Sequence, residues 1–139
     1  MTCQYCFHPH GRPCALPLVP TNQALREGCS LPTLYEWTTL TTYLGGTGVA
    51  GGAMKETGTE HWTTPNEGAT NTSGFTALPG GNRLSNATFE VLLSNCYFWS
   101  STQGYQSNAY GRNLNNVATI VNRYEYAMNR GFSVRCLKD

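Results

Sequence analysis

The residues best suited to contact another molecule are concentrated between Gln103 and Arg130. This segment holds six of the chain's 12 Asn and four of its eight Tyr, together with Arg112 and Arg123. Tyrosine offers rigid, amphipathic contact area at low entropic cost, and Asn supplies adaptable hydrogen bonds, as in antibody-like contact loops. The composition therefore favours molecular recognition, and a polar surface loop without a binding role is the alternative.

Thiol and imidazole groups are clustered near the start of the chain. Cys3-x-x-Cys6 is half of a common zinc motif, and His10 or Cys14 could complete the ligand set. The second half of this motif is too closely spaced for the usual zinc site, so an irregular arm carrying thiols or disulfides is the alternative. Because several prolines exclude a long helix here, we expect residues 1–30 to form an irregular N-terminal arm.

Oxygen ligands occur in a turn-rich segment around Trp62. Glu60, Asn66, Glu67 and Asn71 are of types that bind calcium, but their spacing does not match an EF-hand loop. We therefore predict no metal site and no cofactor. A long loop inside a compact domain is usually functional or held by side chains, so we expect Trp62 to anchor it to the core.

The sequence lacks the usual arrangements of an active site. Neither Cys96 nor Cys136 has a base beside it in sequence, and all three His lie at or before position 61. Glu90 and Glu125 are the only acids in the range 68–138, and no phosphate-binding glycine loop or serine nucleophile elbow is present. We therefore predict a non-enzymatic protein with no catalytic residues.

The elements that would position these residues begin with a helix from Leu34 to Leu44. Thr33 and Glu36 are spaced as a capping box, Gly45-Gly46 provides a stop, and apolar residues recur every three or four positions. A shorter helix is predicted from Gly48 to Glu56, with Val49, Ala53 and Met54 facing the core.

Short strands follow the helices. The pattern predicts one antiparallel sheet with strands at Gly74–Leu78, Tyr97–Ser101, Ala109–Leu114 and Phe132–Leu137. Because one element type precedes the other, the order favours an α+β fold over alternating α/β. Trp37 and Trp99 are assigned to the core.

Alternation along the strand 109–114 places Tyr110 and Arg112 on one side and smaller residues on the other. Since Tyr and Arg dominate binding hot spots, we predict that this side is the ligand face and points outward. The residues predicted to form the complete binding surface are Gln103, Tyr105, Asn108, Tyr110, Arg112, Asn115, Asn116, Arg123, Tyr124 and Tyr126.

Length and charge limit the class of protein. The 139 residues fit one domain with a single core. Charged residues make up 12% and the net charge is +1, so there is no electrostatic basis for a nucleic-acid partner. No apolar run approaches the ~20 residues of a membrane span, and no signal peptide is visible. We therefore expect no membrane insertion.

Five motifs occur in order between residues 31 and 139. They are Leu31-Pro32-Thr33-x-x-Glu36-Trp37, Gly51-Gly52-x-x-Lys55-Glu56-Thr57-Gly58, Gly68-Ala69-Thr70-Asn71-x-Ser73-Gly74-Phe75-x-Ala77-Leu78-Pro79-Gly80-Gly81-x-Arg83, Trp99-Ser100-Ser101-Thr102 and Gly131-Phe132-Ser133-Val134-Arg135-Cys136. Together they resemble the Fibrobacter succinogenes major paralogous domain, a repeated bacterial surface domain. The resemblance implies a C-type-lectin-like domain over residues 31–139, with two helices and a short antiparallel sheet with long loops. It also implies a disulfide between Cys29 and Cys136, since lectin-like folds commonly link the first helix region to the last strand.

The resemblance also implies a function. C-terminal lectin-like domains of this kind serve as variable proteins of diversity-generating retroelements, in which randomised template adenines scatter Asn codons into many residue types. We therefore expect a receptor- or adhesin-type module that binds a protein or glycan on a cell surface. Its expected location is extracellular, on a cell surface or on a phage particle.

Other functions remain open on the same resemblance. The chain could be a structural surface or phage-fibre domain without its own ligand. A less favoured alternative is an oxidase like the related formylglycine-generating enzymes, whose chemistry needs paired reactive thiols in a peptide-binding cleft. The Glu-Pro-Asn and Gln-Pro-Asp tripeptides of calcium-dependent sugar-binding lectins do not occur, which favours a protein or calcium-independent ligand.

Overall fold

The computed structural model describes the backbone of residues 29–138 and the side chains of residues 30–138. The predicted zinc ligands Cys3, Cys6, His10 and Cys14 lie outside the described residues, as does the side chain of Cys29. The zinc site and the Cys29–Cys136 disulfide therefore stay predictions.

The described chain contains two helices and seven strands, and the strands form three antiparallel sheets. This arrangement confirms the predicted α+β class. In chain order the elements are β1 (Cys29–Ser30), α1 (Leu34–Tyr43), α2 (Ala50–Met54), β2 (Asn82–Arg83), β3 (Phe89–Glu90), β4 (Asn95–Gln103), β5 (Asn108–Asn115), β6 (Asn122–Ala127) and β7 (Leu137–Lys138).

Helix α1 begins at the predicted capping box. Thr33 Oγ1 accepts from the Glu36 amide at 3.2 Å, and Glu36 Oε2 accepts from the Thr33 amide at 2.8 Å. Leu44 is the C-cap, so the helix is one residue shorter than predicted. Trp37 is 2% exposed and packs into the core, as predicted.

Helix α2 is shorter than the predicted range 48–56 and lies unusually close to neighbouring backbone. A Cβ on Gly51 would stand 2.6 Å from the Thr119 carbonyl oxygen, and one on Gly52 would stand 2.4 Å from that of Gly68. The two glycines therefore allow the chain after β5 and the loop before residue 70 to contact this helix directly. Met54 is buried as expected, whereas Val49 is exposed.

The main sheet has the strand order β4-β5-β6. The predicted strands at 97–101 and 109–114 lie within β4 and β5. Strand β6 was not predicted, because its polar sequence Asn-Arg-Tyr-Glu-Tyr-Ala resembles a contact loop in composition.

The other two predicted strands, and the single sheet, are wrong. In 74–78, Thr76 has a φ of +54° and its amide donates to Asn71 Oδ1 at 2.8 Å, so the segment is irregular apart from one isolated bridge between Ala77 and Lys55. In 132–137, Ser133 exchanges backbone hydrogen bonds with Tyr97 and Trp99, and regular pairing resumes only in β7. Strand β7 pairs with β1, and β2 pairs with β3, apart from the main sheet.

Two apolar clusters cover the two faces of the main sheet. The first joins α1 and α2 to one face and contains Trp37, Met54, Trp62, Phe98 and Leu114 among its buried residues. The second covers the other face and contains Trp99, Ala109 and Phe132. Trp62 is 1% exposed and its indole donates to the Ala77 carbonyl, so it anchors its loop as predicted. Trp99 is likewise buried.

Within residues 29–138, neither helix has the length and apolar character needed to cross a membrane.

Candidate binding surface

The register of the main sheet assigns each contact residue to a face. Side chains of directly paired residues in antiparallel strands lie on the same face. Phe98, Arg112 and Arg123 are paired in register and share the face covered by α1, which we call the helix face. Trp99, Gly111 and Tyr124 are paired on the other face, which we call the Phe132 face.

The β4–β5 turn lies at one end of the sheet and is held by Glu125. The Gly104 amide donates to the Asn108 carbonyl at 2.9 Å and closes the turn. The Tyr105 amide donates to Glu125 Oε2 at 2.8 Å, and a Cβ on Gly104 would stand 2.6 Å from that oxygen. The turn is therefore fixed onto β6 by a side chain of β6 itself.

Glu125 also organises the tyrosines beside it. The hydrogen bond from the Tyr105 amide lowers the pKa of Glu125, and interactions with the side chains of Tyr110 and Asn108 lower it further. The neighbouring Glu125 carboxylate raises the pKa of the Tyr110 hydroxyl, because it favours the protonated phenol as a donor and its negative charge opposes the phenolate. Glu125 thus holds the Tyr105 backbone and also lies beside the Tyr110 hydroxyl.

Four of the ten predicted site residues are exposed, and four are partly exposed. The exposed ones are Gln103, Tyr105, Arg123 and Tyr124, with Tyr105 at 72% and Tyr124 at 57%. The partly exposed ones are Asn108, Tyr110, Asn115 and Tyr126. We call the group of Gln103, Tyr105, Tyr110, Arg123 and Tyr124 the tip surface. Because β6 is an edge strand, this surface continues from the helix face around the edge to the Phe132 face.

The predicted outward orientation of Arg112 is wrong. Arg112 shares the face of Tyr110, as alternation predicted, but it is only 2% exposed. Helix α1 packs over the helix face at Arg112, where Arg112 Nη2 donates to Thr38 Oγ1 at 2.9 Å. Burial lowers the pKa of Arg112, and the nearby charge of Arg123 lowers it further.

Asn115 and Asn116 do not belong to the tip surface. They lie at the other end of β5, about 23 Å from Asn108 at ~3.3 Å per residue. Asn116 is buried, and its amide donates to the carbonyls of Thr63 and Thr64 at 3.1 Å. It holds the long loop against the sheet, which is a structural role.

Tyr126 is part of the core rather than a purely outward contact. Its ring makes edge-to-face contacts with Trp99 at 6.4 Å and with Phe132 at 4.8 Å. Burial is the main reason that the pKa of its hydroxyl is raised. Tyr124 extends this aromatic row outward at 6.1 Å from Tyr126, so the row joins the core to the tip surface.

Two residues that organise the molecule were not identified from the sequence. Glu125 was noted only as one of few acids. The available signal is its position between Tyr124 and Tyr126, two residues after Arg123, as the one acid in a polar and aromatic segment. Lys55 was noted only within a motif. Its partners lie 12, 60 and 63 residues away, so no local pattern reveals them.

The thiol of Cys96, at the start of β4, lies in an unreactive environment. Cys96 is fully buried, and burial raises the pKa of its thiol to about 12. No group of three or more His, Cys, Asp or Glu side chains in residues 30–138 is placed to hold a metal ion. Asn66 and Asn71, considered above as calcium ligands, donate hydrogen bonds through their side-chain amides within the same region of the chain.

Comparison with protein families gives one match. The model of the Fibrobacter succinogenes major domain matches residues 19–138. Comparison with curated proteins and with solved structures gave no significant match.

Proposed function

Since the chain belongs to the Fibrobacter succinogenes major domain family, we propose that it is a ligand-binding module of the receptor or adhesin type. The ligand is a protein or a glycan on a cell surface, and the module acts outside the cell or on a phage particle. It uses no cofactor and catalyses no reaction. The main alternative is a structural surface domain whose tip residues contact nothing.

The tip surface is the observation that carries this proposal. Tyr105 and Tyr124 are more than half exposed, and tyrosine, with an apolar ring and a polar hydroxyl, is enriched at binding interfaces. The Tyr105 backbone is fixed by Glu125, and Tyr124 is attached to the core through Tyr126. Such preorganised aromatic groups bind with a small loss of conformational entropy.

We further propose that the scaffold is of the C-type-lectin-like type and that the chain is a retroelement-diversified protein. Two helices and antiparallel sheets are compatible with that scaffold. Diversification needs positions that accept many side chains without unfolding. The exposed side chains of Gln103, Tyr105, Arg123 and Tyr124 are suited to this, because their removal leaves no cavity in either apolar cluster.

A non-enzymatic role is supported by the state of the buried thiol at the start of β4. With its pKa raised to about 12, Cys96 is protonated at neutral pH and unsuited to nucleophilic or oxidative chemistry. Formylglycine-type oxidation, which needs paired reactive thiols, is therefore not part of the proposal.

The test is binding of the labelled protein to a panel of bacterial cells. For any strain that is bound, Tyr105→Ala and Tyr124→Ala should each raise the apparent Kd about tenfold or more, as expected for aromatic hot spots. Treating the cells with protease or with periodate distinguishes a protein ligand from a glycan.

The matched control is Tyr43→Ala, which removes an 86% exposed tyrosine at the end of α1, away from the main sheet. It should leave the Kd unchanged. Equal binding by all three variants, or no binding to any cell by the wild-type protein, favours the structural alternative.

A further inference from the structure

Arg112 and Arg123 form a pair of like charges on the helix face. They are directly opposite each other on β5 and β6. Arg112 is 2% exposed, whereas Arg123 is exposed. Like charges placed directly across a sheet are destabilising, so this pairing costs free energy in the isolated protein.

Neither arginine has a carboxylate partner among the described residues. The only ion pair there joins His61 to Glu56. Arg112 has one hydrogen bond, to Thr38, and its buried Nε has none. A buried donor without a partner is unfavourable, and no carboxylate among the described residues balances the positive charge of Arg112.

The nearest acid on this face is already occupied. Glu125 lies two residues after Arg123 on β6 and on the same face of the sheet. Its carboxylate, however, accepts from the Tyr105 amide and interacts with the side chains of Tyr110 and Asn108. Its pKa is lowered by these groups and not by either guanidinium. The protein therefore uses its one acid on this sheet to hold the β4–β5 turn.

The open edge of β6 lies beside this pair. Strand β6 has a single neighbour, β5, and no other segment of residues 29–138 pairs with its outer edge. An unpaired edge presents backbone donors and acceptors that fit an extended peptide. A glycan can hydrogen-bond to such groups, but it lacks the regular donor and acceptor spacing with which an extended peptide matches a strand edge.

We propose that the ligand is a protein that presents an acidic, extended segment along β6, with a carboxylate bound by Arg123 beside the buried charge of Arg112. This inference deepens the proposed function and rests on it. Arg123 makes the contact, because a guanidinium binds a carboxylate through two parallel hydrogen bonds. Arg112 strengthens the attraction from the neighbouring strand β5, where its burial reduces the screening of its charge by solvent and salt.

The experiment uses the wild-type chain and a synthetic eight-residue peptide of alternating Glu and Ser. Nitrogen–proton correlation spectra should show saturable shifts of the Arg112 and Arg123 Nε–Hε signals and of the β6 amides. Arg123→Gln should weaken peptide binding roughly five- to tenfold, and Arg123→Glu should abolish it. Raising the salt concentration should weaken binding in the wild-type protein.

The matched control is Lys138→Gln, which removes an exposed cation on β7 and should bind the peptide as the wild-type protein does. A peptide with Lys in place of Glu should not bind. An oligogalacturonate of equal charge tests whether the carboxylate comes from a peptide or from a glycan. If it binds more tightly than the Glu/Ser peptide, the proposal is overturned in favour of an acidic glycan.

Two further outcomes would overturn it: no saturable shift with the acidic peptide, or unchanged binding in Arg123→Gln. Because these experiments need no natural ligand, their failure leaves the proposed function intact if Tyr105→Ala and Tyr124→Ala still lose cell binding. Both variants of Arg123 alter an exposed side chain, so folding is not at risk.

Discussion

Lys55 is a buried cation whose partners are backbone carbonyls. Its Nζ donates to the carbonyl oxygens of Glu67 at 2.8 Å, Ala118 at 2.9 Å and Asn115 at 3.0 Å. The ammonium also lies 5.6 Å from the centre of the Trp62 ring. Burial lowers the pKa of Lys55. One side chain therefore joins the end of α2 to the long loop and to the chain between β5 and β6.

Replacing Lys55 by Met should destabilise the fold strongly. The substitution keeps most of the volume but leaves three inward-facing carbonyls without a donor, and each such group costs ~1–3 kcal/mol if water cannot reach it. We expect urea unfolding to show a loss of about 3 kcal/mol or more. The chain's other lysine provides the control, because Lys138→Met alters an exposed side chain. Equal stability of the two variants would contradict this assignment.

The sequence predicted single residues well where size and apolarity decide their place. Trp37, Trp62 and Trp99 are all buried, as expected from their types and surroundings. Arg112 and Lys55 could not be placed in the same way. Burial of a charged side chain depends on which groups from distant segments converge on it, and these groups are not adjacent in sequence.

At the scale of elements, the alternation of residues along β5 predicted which side chains share a face, but not that α1 packs over part of that face. Arg112 and Tyr110 do share a face, yet α1 covers one and leaves the other partly exposed. Local signals predicted α1 almost to the residue, because its cap and stop are contiguous in sequence. Strand β6 was missed because its pairing with β5, rather than its own propensity, makes it a strand.

The Glu125 contact with the β4–β5 turn should depend on pH. A carboxylate whose pKa is lowered in the folded state gives a contribution that is complete above its ordinary pKa of 4.5. That contribution is lost as the pH falls through the lowered value. The Tyr105 amide proton should therefore shift in the NMR spectrum with an inflection below pH 4.5, as its acceptor becomes protonated.

Glu125→Gln is the control for that titration, because it keeps the shape of the side chain and removes the titrating group. The inflection in the chemical shift of the Tyr105 amide should disappear in this variant. The amides of the β4–β5 turn should also exchange with solvent faster at neutral pH than in the wild-type chain. An inflection that persists in the variant, or one at or above pH 4.5 in the wild-type chain, would show that Glu125 does not hold the turn.

At the scale of the whole molecule, the residues of the family-like motifs and the tip residues have different tasks. Gly51 and Gly52 permit the close contact of α2 with its neighbours, and Lys55 joins three segments. Trp37 and Trp99 fill the clusters on the two faces of the sheet. The most exposed contact residues take no part in these interactions. The exposed contact residues can therefore change without loss of the interactions that stabilise the fold.

This separation predicts which positions accept random substitution. A library that randomises Gln103, Tyr105, Arg123 and Tyr124 together should yield mostly folded, protease-resistant proteins, because all four side chains are exposed. A second library of equal size at Arg112, Asn113, Asn116 and Tyr126 should yield few. Arg112, Asn113 and Asn116 are buried with hydrogen bonds to α1, to β4 and to the long loop, and Tyr126 packs on Trp99.

Display of both libraries followed by protease selection and sequencing measures the difference directly. We expect the folded fraction of the first library to exceed that of the second by at least about tenfold, since the loss of even ~1.4 kcal/mol changes the folding equilibrium by that factor. The two libraries carry equal numbers of substitutions within residues 103–126, so the comparison isolates burial. Similar folded fractions would mean that the tip residues also support the fold, and the proposal of a diversified binding surface would lose its physical basis.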